Sequence, residues 1–194
     1  FALEDSLYAT VDFLADLHSG DCNEALHPLV FFPTAGKKEV NSKALNAAKV
    51  LSVDYRVRST ARNGLYSWAV QRGVPALLIE RGGQGLWSQT EVDACKADVR
   101  ALMGHLGILD ESRENQKQQE IVEASYVEAD ADGFWYPLAA TNQIVCMGEV
   151  LGCLESLTGE LLQEVRAKFD GVVLYHTIAL GVHKGEALIA YGHT

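Results

Sequence analysis

The chain has 194 residues, 48% of them hydrophobic and 22% charged, with 16 Lys and Arg against 26 Asp and Glu and a formal net charge of -10. An acidic chain without a basic stripe excludes nucleic acid and anionic membrane as main partners, and no apolar run reaches the roughly 18 residues that a spanning helix needs. Cys22, Cys95, Cys146 and Cys153 form no CxxC pair and no zinc-knuckle spacing, so they read as buried thiols of a reducing compartment and predict a cytoplasmic protein.

Ala2 to Thr10 reads as the end of a helix, with Leu3, Leu7 and Tyr8 on one face, and predicts residues upstream of Phe1. The run Val11-Asp12-Phe13-Leu14-Ala15-Asp16-Leu17-His18-Ser19-Gly20 starts apolar and stops in polar residues and a glycine. That is the pattern of a buried strand in a mostly parallel sheet. Ligands of open α/β sheets bind at the carboxyl ends of the strands, so Asp16, His18 and Asp21 arrive where chemistry would sit. His18 reads as a zinc ligand with Asp16 orienting it, or as a strand-end histidine satisfied by its neighbours. Spacing leaves both readings open.

Residues 21–28 read as a loop, and Leu29 to Phe32 as a strand ended by Pro33. Ala44, Leu45, Ala48 and Leu51 predict a helix over 42–51, capped by Asn41 or Ser42. Val53 to Val57 is an expected strand, 59–65 a loop around Arg62-Asn63-Gly64, and Tyr66 to Gln71 a short helix stopped by Gly73. Ala76 to Glu80 is the second strong strand, closing in Arg81-Gly82-Gly83-Gln84-Gly85. That glycine-rich run lacks the Lys-Ser/Thr of a phosphate loop and reads as close backbone approach. Ser88 and Glu91 form a capping box for a helix to about Leu106, with Val92, Cys95, Val99, Leu102, Met103 and Leu106 on one face and Gly107 as its stop.

Asp110 to Gln119 is almost free of apolar residues and predicts a linker. Beyond it, short apolar runs alternate with glycines in the manner of β-hairpins. The helix-like segment 159–165 is expected to be strand. The reading is therefore an α/β domain over 1–109, a linker over 110–120 and a small β-rich domain over 121–194.

The pair that points most strongly to chemistry is His18 with Glu80. Each closes an apolar strand and is followed by small residues. Two parallel strands would bring an imidazole and a carboxylate to one rim, which suits hydrolysis at zinc, with the carboxylate handling the proton of a metal-bound water. Glu80 could equally pair with Arg81 or another cation. Arg56, Arg58, Arg62 and Asn63 precede the Glu80 strand, and an arginine there would recognise a substrate carboxylate. Arg62, Asn63 and Tyr66 are the expected substrate contacts, with solvent-facing loop residues as the alternative. His183-Lys-Gly-Glu186 is a literal HxxE, but in a hairpin the two side chains do not share a face, so it reads as surface.

The order DLHSG, GVPALLIERGGQG and a helix ending HLGIL resembles the succinylglutamate desuccinylase/aspartoacylase family, and the likeness extends through the β-rich tail. The resemblance implies a zinc carboxypeptidase-like mixed sheet flanked by helices, followed by a small all-β lipoyl-like domain. It implies that His18 matches the family's third zinc ligand and Glu80 its general base. It implies hydrolysis of an N-acyl amino acid or similar small amide. The family's other two zinc ligands, in an HGxE-type motif, and its Asn-Arg pair have no counterpart in this chain, and its acyl-carboxylate arginine does not align. Since a catalytic zinc uses three protein ligands, the expectation is that these residues alone are inactive. The alternative is a non-catalytic small-molecule binding or assembly module. A swinging-arm carrier would need a lysine at the hairpin tip, where Ser156-Leu157-Thr158-Gly159 stands. Covering the active-site mouth or supporting a homo-oligomer is the expected role of the tail.

Overall fold

The computed structural model describes residues 4–111 and 117–194. After a π-helical turn (Glu4–Tyr8) come β1 (Leu14–His18), β2 (Glu24–Leu26), β3 (Leu29–Pro33), α1 (Lys38–Ala48), β4 (Tyr55–Ser59), α2 (Leu65–Gln71), β5 (Ala76–Glu80) and α3 (Gln89–His105). Among the described residues only strands follow: β6 (Gln119–Ile121), β7 (Glu123–Glu128), β8 (Gly133–Pro137), β9 (Ile144–Val145), β10 (Val150–Glu155), β11 (Leu161–Arg166), β12 (Gly171–Thr177), β13 (Gly181–Val182) and β14 (Ala187–His193). No helix among the described residues is long and apolar enough to cross a membrane, and the four cysteines are free thiols but not the buried ones expected, since Cys22 and Cys146 are exposed and Cys95 and Cys153 only part-buried.

Contacts divide the described residues into two compact units, the first within Phe1–Ser19, Pro28–Glu80 and Ser88–Glu120, the second within Gly20–His27, Arg81–Trp87 and Ile121–Thr194. The first unit is built on a mixed sheet in the order β1-β5-β3-β4-β6. β1 runs parallel to β5 and β3 parallel to β4, while β3 and β5 are antiparallel. Alternation sends Leu14, Ala76, Leu78 and Phe31 to the face covered by Tyr66, Ala69 and Val70 of α2. Val30, Phe32, Leu77 and Ile79 go to the other face, under Ala44, Ala47 and Ala48 of α1 and Ala101 and Leu102 of α3.

Three local expectations change. α1 starts at Lys38, with Lys37 rather than Asn41 or Ser42 as its cap. Asn41 lies inside the helix because its carboxamide turns back, accepting from Gly36 N and donating to the Thr34 and Gly36 carbonyls. The strand expected over 53–57 is shifted to Tyr55–Ser59, since its pairing begins only where Tyr55 meets Leu29. The buried stripe of α3 is Asp98, Ala101 and Leu102, and Leu106 is exposed. Asp98 turns that stripe inward by accepting from Ser52 N at 2.6 Å. Ser88 does cap α3, accepting from Glu91 N at 3.2 Å, and Gly73 and Gly107 end their helices at positive φ.

Of the expected linker, residues 112–116 lie outside the described residues. Gln118 is buried and donates to the Ala48 carbonyl at 3.0 Å, and β6 lies beside β4. Arg56 and Arg58 of β4 both reach Glu120 of β6, at 3.1 and 2.6 Å.

The second unit is all-β. One sheet has the order β11-β10-β8-β13; in the other, β2-β12-β14-β7, β9 also pairs with β12. Trp135, Leu151, Leu154, Val173, Leu188 and Tyr191 centre its core. β11 is strand, as expected. β2 lies within the segment expected to be loop and is held by antiparallel pairing with β12.

Candidate active site

β1 and β5 pair in parallel with His18 opposite Glu80. In-register residues of neighbouring parallel strands point to the same face, so the imidazole and the carboxylate emerge together at one carboxyl-end rim. Asp16, two residues earlier, shares that face.

Asp16 Oδ1 is 3.1 Å from His18 Nε2, and Glu80 Oε1 is 3.7 Å from His18 Nδ1. The imidazole is half exposed at 49%, while the Asp16 and Glu80 side chains are 12% and 14% exposed. An imidazole donating Nε2–H to Asp16 would be fixed in orientation and would turn its Nδ1 lone pair to the Glu80 side. Glu80 Oε2 is shielded from solvent, so the carboxylate presents Oε1 to its surroundings.

Tyr66, expected as a substrate contact, is buried, with its hydroxyl 2.7 Å from Ser59 Oγ. Burial pushes this phenol above its usual range, the Ser59 bond opposes the shift, and the negative charges of Asp16 and Glu80 add to it. Tyr8 donates to the Leu65 carbonyl and is raised by burial and then by the Asp16 charge. Arg62 and Asn63 sit on the exposed loop before α2, where the Arg62 carbonyl accepts from Gln71 Nε2 at 2.9 Å. His183 is exposed and 3.6 Å from the Asp132 carboxylate.

The residues after the two strand tips belong to the second unit and bond to one another. Gly20 N donates to Gly82 O at 3.2 Å, and Gln84 N reaches the carbonyls of both Asp21 and Glu24 at 3.0 Å. Asp21 thus contributes its backbone here. A Cβ at Gly83 would lie 2.5 Å from Glu24 O, the close approach that the glycine-rich run predicts. Glu24 has no signal in the sequence. Burial first and the Asp21 charge second push its carboxyl up to about 7, against the Asp21 N–H bond that lowers it.

A catalytic zinc needs three protein ligands. Among the described residues no group of three or more His, Cys, Asp or Glu is placed to hold a metal. Asp16 is committed to the imidazole. The residues present offer one ring nitrogen and one base and do not fit a whole zinc site.

Solved structures with a similar fold include the product-bound ectoine utilization protein EutE (DoeB) from Ruegeria pomeroyi, with TM-score 0.87 and 23% identity over 99% of this chain and 61% of that one. The succinylglutamate desuccinylase/aspartoacylase from Rhodobacter sphaeroides matches with TM-score 0.81 and 20% identity over 99% and 62%. The fold is that of the succinylglutamate desuccinylase/aspartoacylase proteins. An aspartoacylase family protein from Mesorhizobium loti matches this desuccinylase/aspartoacylase fold with TM-score 0.76 and 20% identity, over 100% of this chain and 61% of that one. The chain spans about three fifths of the length of these proteins. No family model and no curated protein matches the sequence.

Proposed function

We propose that this chain supplies the base and one metal ligand of a zinc-dependent deacylase, a cytoplasmic hydrolase that cleaves the amide of an N-acyl amino acid or a similar small molecule. The observation that carries this reading is the in-register pairing of His18 with Glu80, with Asp16 against the far nitrogen of the ring. Zinc, completed by ligands from outside the described residues, would supply Lewis acidity at this rim. His18 offers Nδ1, and Asp16 holds the ring in the tautomer that keeps that lone pair available. Glu80 Oε1 takes a proton from the attacking water and returns it to the leaving amine, giving a carboxylate and an amine. The second unit is read as a lipoyl-like domain with no carrier role, because its β10–β11 turn presents Ser156, Leu157, Thr158 and Gly159 and no lysine.

The test is zinc content and amidase turnover, measured on these 194 residues and on the polypeptide extended at its amino end. The extended protein is expected to bind zinc stoichiometrically and to hydrolyse N-acyl amino acids, and the 194 residues to do neither. Stoichiometric, tight zinc in the shorter chain would overturn the ligand count.

A further inference from the structure

Because β3 and β4 run opposite to β1 and β5, the sheet of the first unit has two carboxyl-end rims, at its opposite ends. His18 and Glu80 occupy one. The other lies past Pro33 and Ser59, where β3 leads through a short loop into α1 and α1 leads on to β4. The crevice beyond the carboxyl ends of such parallel strands is the general place for a ligand in an α/β sheet. A cavity of about 360 Å³ opens there.

Phe32 and Leu45 give the cavity an apolar side, Thr34 and Ser42 add small polar residues to its lining, and Lys38 and Arg58 bring positive charge. The loop is already shaped, since the three Asn41 bonds to Thr34 and Gly36 fix the turn before α1. Arg58 is held at one end only. Its Nε donates to Glu120 Oε1 at 2.6 Å, and the other Glu120 oxygen is taken by Arg56 Nε and Nη2 at 3.1 and 3.0 Å. The two Nη groups of Arg58 lie outside that ion pair, on a side chain that is 51% exposed. Among the residues that line the cavity two cations, Lys38 and Arg58, stand against one carboxylate, Glu120, which Arg56 also holds, in a chain whose net charge is -10.

We infer that this cavity binds a small carboxylate with an apolar tail, the carboxylate across the Nη fork of Arg58 and beside the Lys38 ammonium, the tail against Phe32 and Leu45. A planar guanidinium fork matches the two oxygens of a carboxylate. Inorganic phosphate would satisfy the cations but leave the apolar wall wet. The site stands apart from the rim that carries Glu80 and does not depend on the hydrolytic reading.

The test is titration of the chain with n-butyrate, and separately with inorganic phosphate, followed by amide NMR. Butyrate is expected to shift residues 34–45 and 58–59 saturably, with affinity of about millimolar order for so small a ligand. Arg58→Gln should weaken butyrate binding about tenfold or more, as expected for loss of a charge-assisted bidentate contact. Lys38→Ala, an exposed change that leaves the Arg58–Glu120 pair intact, should weaken it a few-fold. No saturable shift, unchanged butyrate affinity in Lys38→Ala or in a folded Arg58→Gln, or phosphate binding as tight as butyrate would overturn the proposal.

Discussion

His18 and Glu80 are partners across two parallel strands, with Nδ1 and Oε1 3.7 Å apart. That distance is beyond hydrogen-bond reach, so the two atoms meet at one rim without bonding to each other. In the amino-terminally extended protein, Glu80→Gln is expected to lower turnover by about 10²- to 10⁴-fold, the usual contribution of a positioned base, with zinc content and circular dichroism unchanged. Full turnover in the variant would move the base elsewhere.

Asp16 touches the ring, so its effect should be felt through His18. Asp16→Asn keeps the size of the side chain and removes the charge that orients the imidazole. Zinc affinity of the extended protein is expected to fall about 10- to 100-fold, measured by competition with a chelating dye. Asp16→Glu should recover part of the loss, whereas a merely structural role for Asp16 would leave zinc affinity unchanged in all three proteins.

Glu24 makes stability depend on pH. With its carboxyl raised from 4.5 to about 7 in the folded chain, the folded state keeps a proton that the unfolded state has released. The stability from this group is therefore complete below about 4.5, declines as pH rises towards 7 and does not return above it. Glu24→Gln removes that decline. Discounted for the water that reaches a half-buried group, the gain at pH 8 is about 1 kcal/mol, or about 2–4 °C in Tm. Thermal melts of both proteins at pH 5 and pH 8 read it directly, and an equal pH dependence in the two would show that Glu24 titrates normally.

Gly152 lies in β10 against Trp135, where an added Cβ would clash with Cη2 and Cζ2 of the indole and lie 2.8 Å from Tyr136 O. Trp135 is 1% exposed and has no space to retreat into. Gly152→Ala is expected to cost about 1–3 kcal/mol, the range for an overfilled core, seen as a lower midpoint in urea unfolding.

The two strand tips were legible because each apolar run ends in a local signal, Ser19-Gly20 after His18 and Gly82-Gly83 after Glu80. Their meeting at one rim needs only that β1 and β5 run parallel; the sheet itself is mixed, and β1 is not the buried strand that its apolar run predicts but ends the sheet order with Leu14 as its one buried residue. β2 was not legible. Glu24-Ala25-Leu26 is three residues long and exists as strand because β12, far along the chain, pairs with it. The same holds for Asp98, a charged residue on a helix whose burial is set by the distant Ser52 N–H. Tyr66 looked like a loop-edge contact because its hydrogen-bond partner, Ser59, is fixed only when β4 and α2 pack. Local pattern carries strand ends and caps, whereas burial of polar side chains depends on partners that the pattern does not name.

The compact all-β unit takes two of its pieces, Gly20–His27 and Arg81–Trp87, from the amino-terminal half of the chain. Cutting after residue 120 would remove β2 from its pairing with β12 and leave bare the edge that it covers. A fragment of 121–194 should thus be sticky and prone to aggregate. Chimeras joined at that point would inherit an incomplete sheet, so the two units can be exchanged between proteins only as a set.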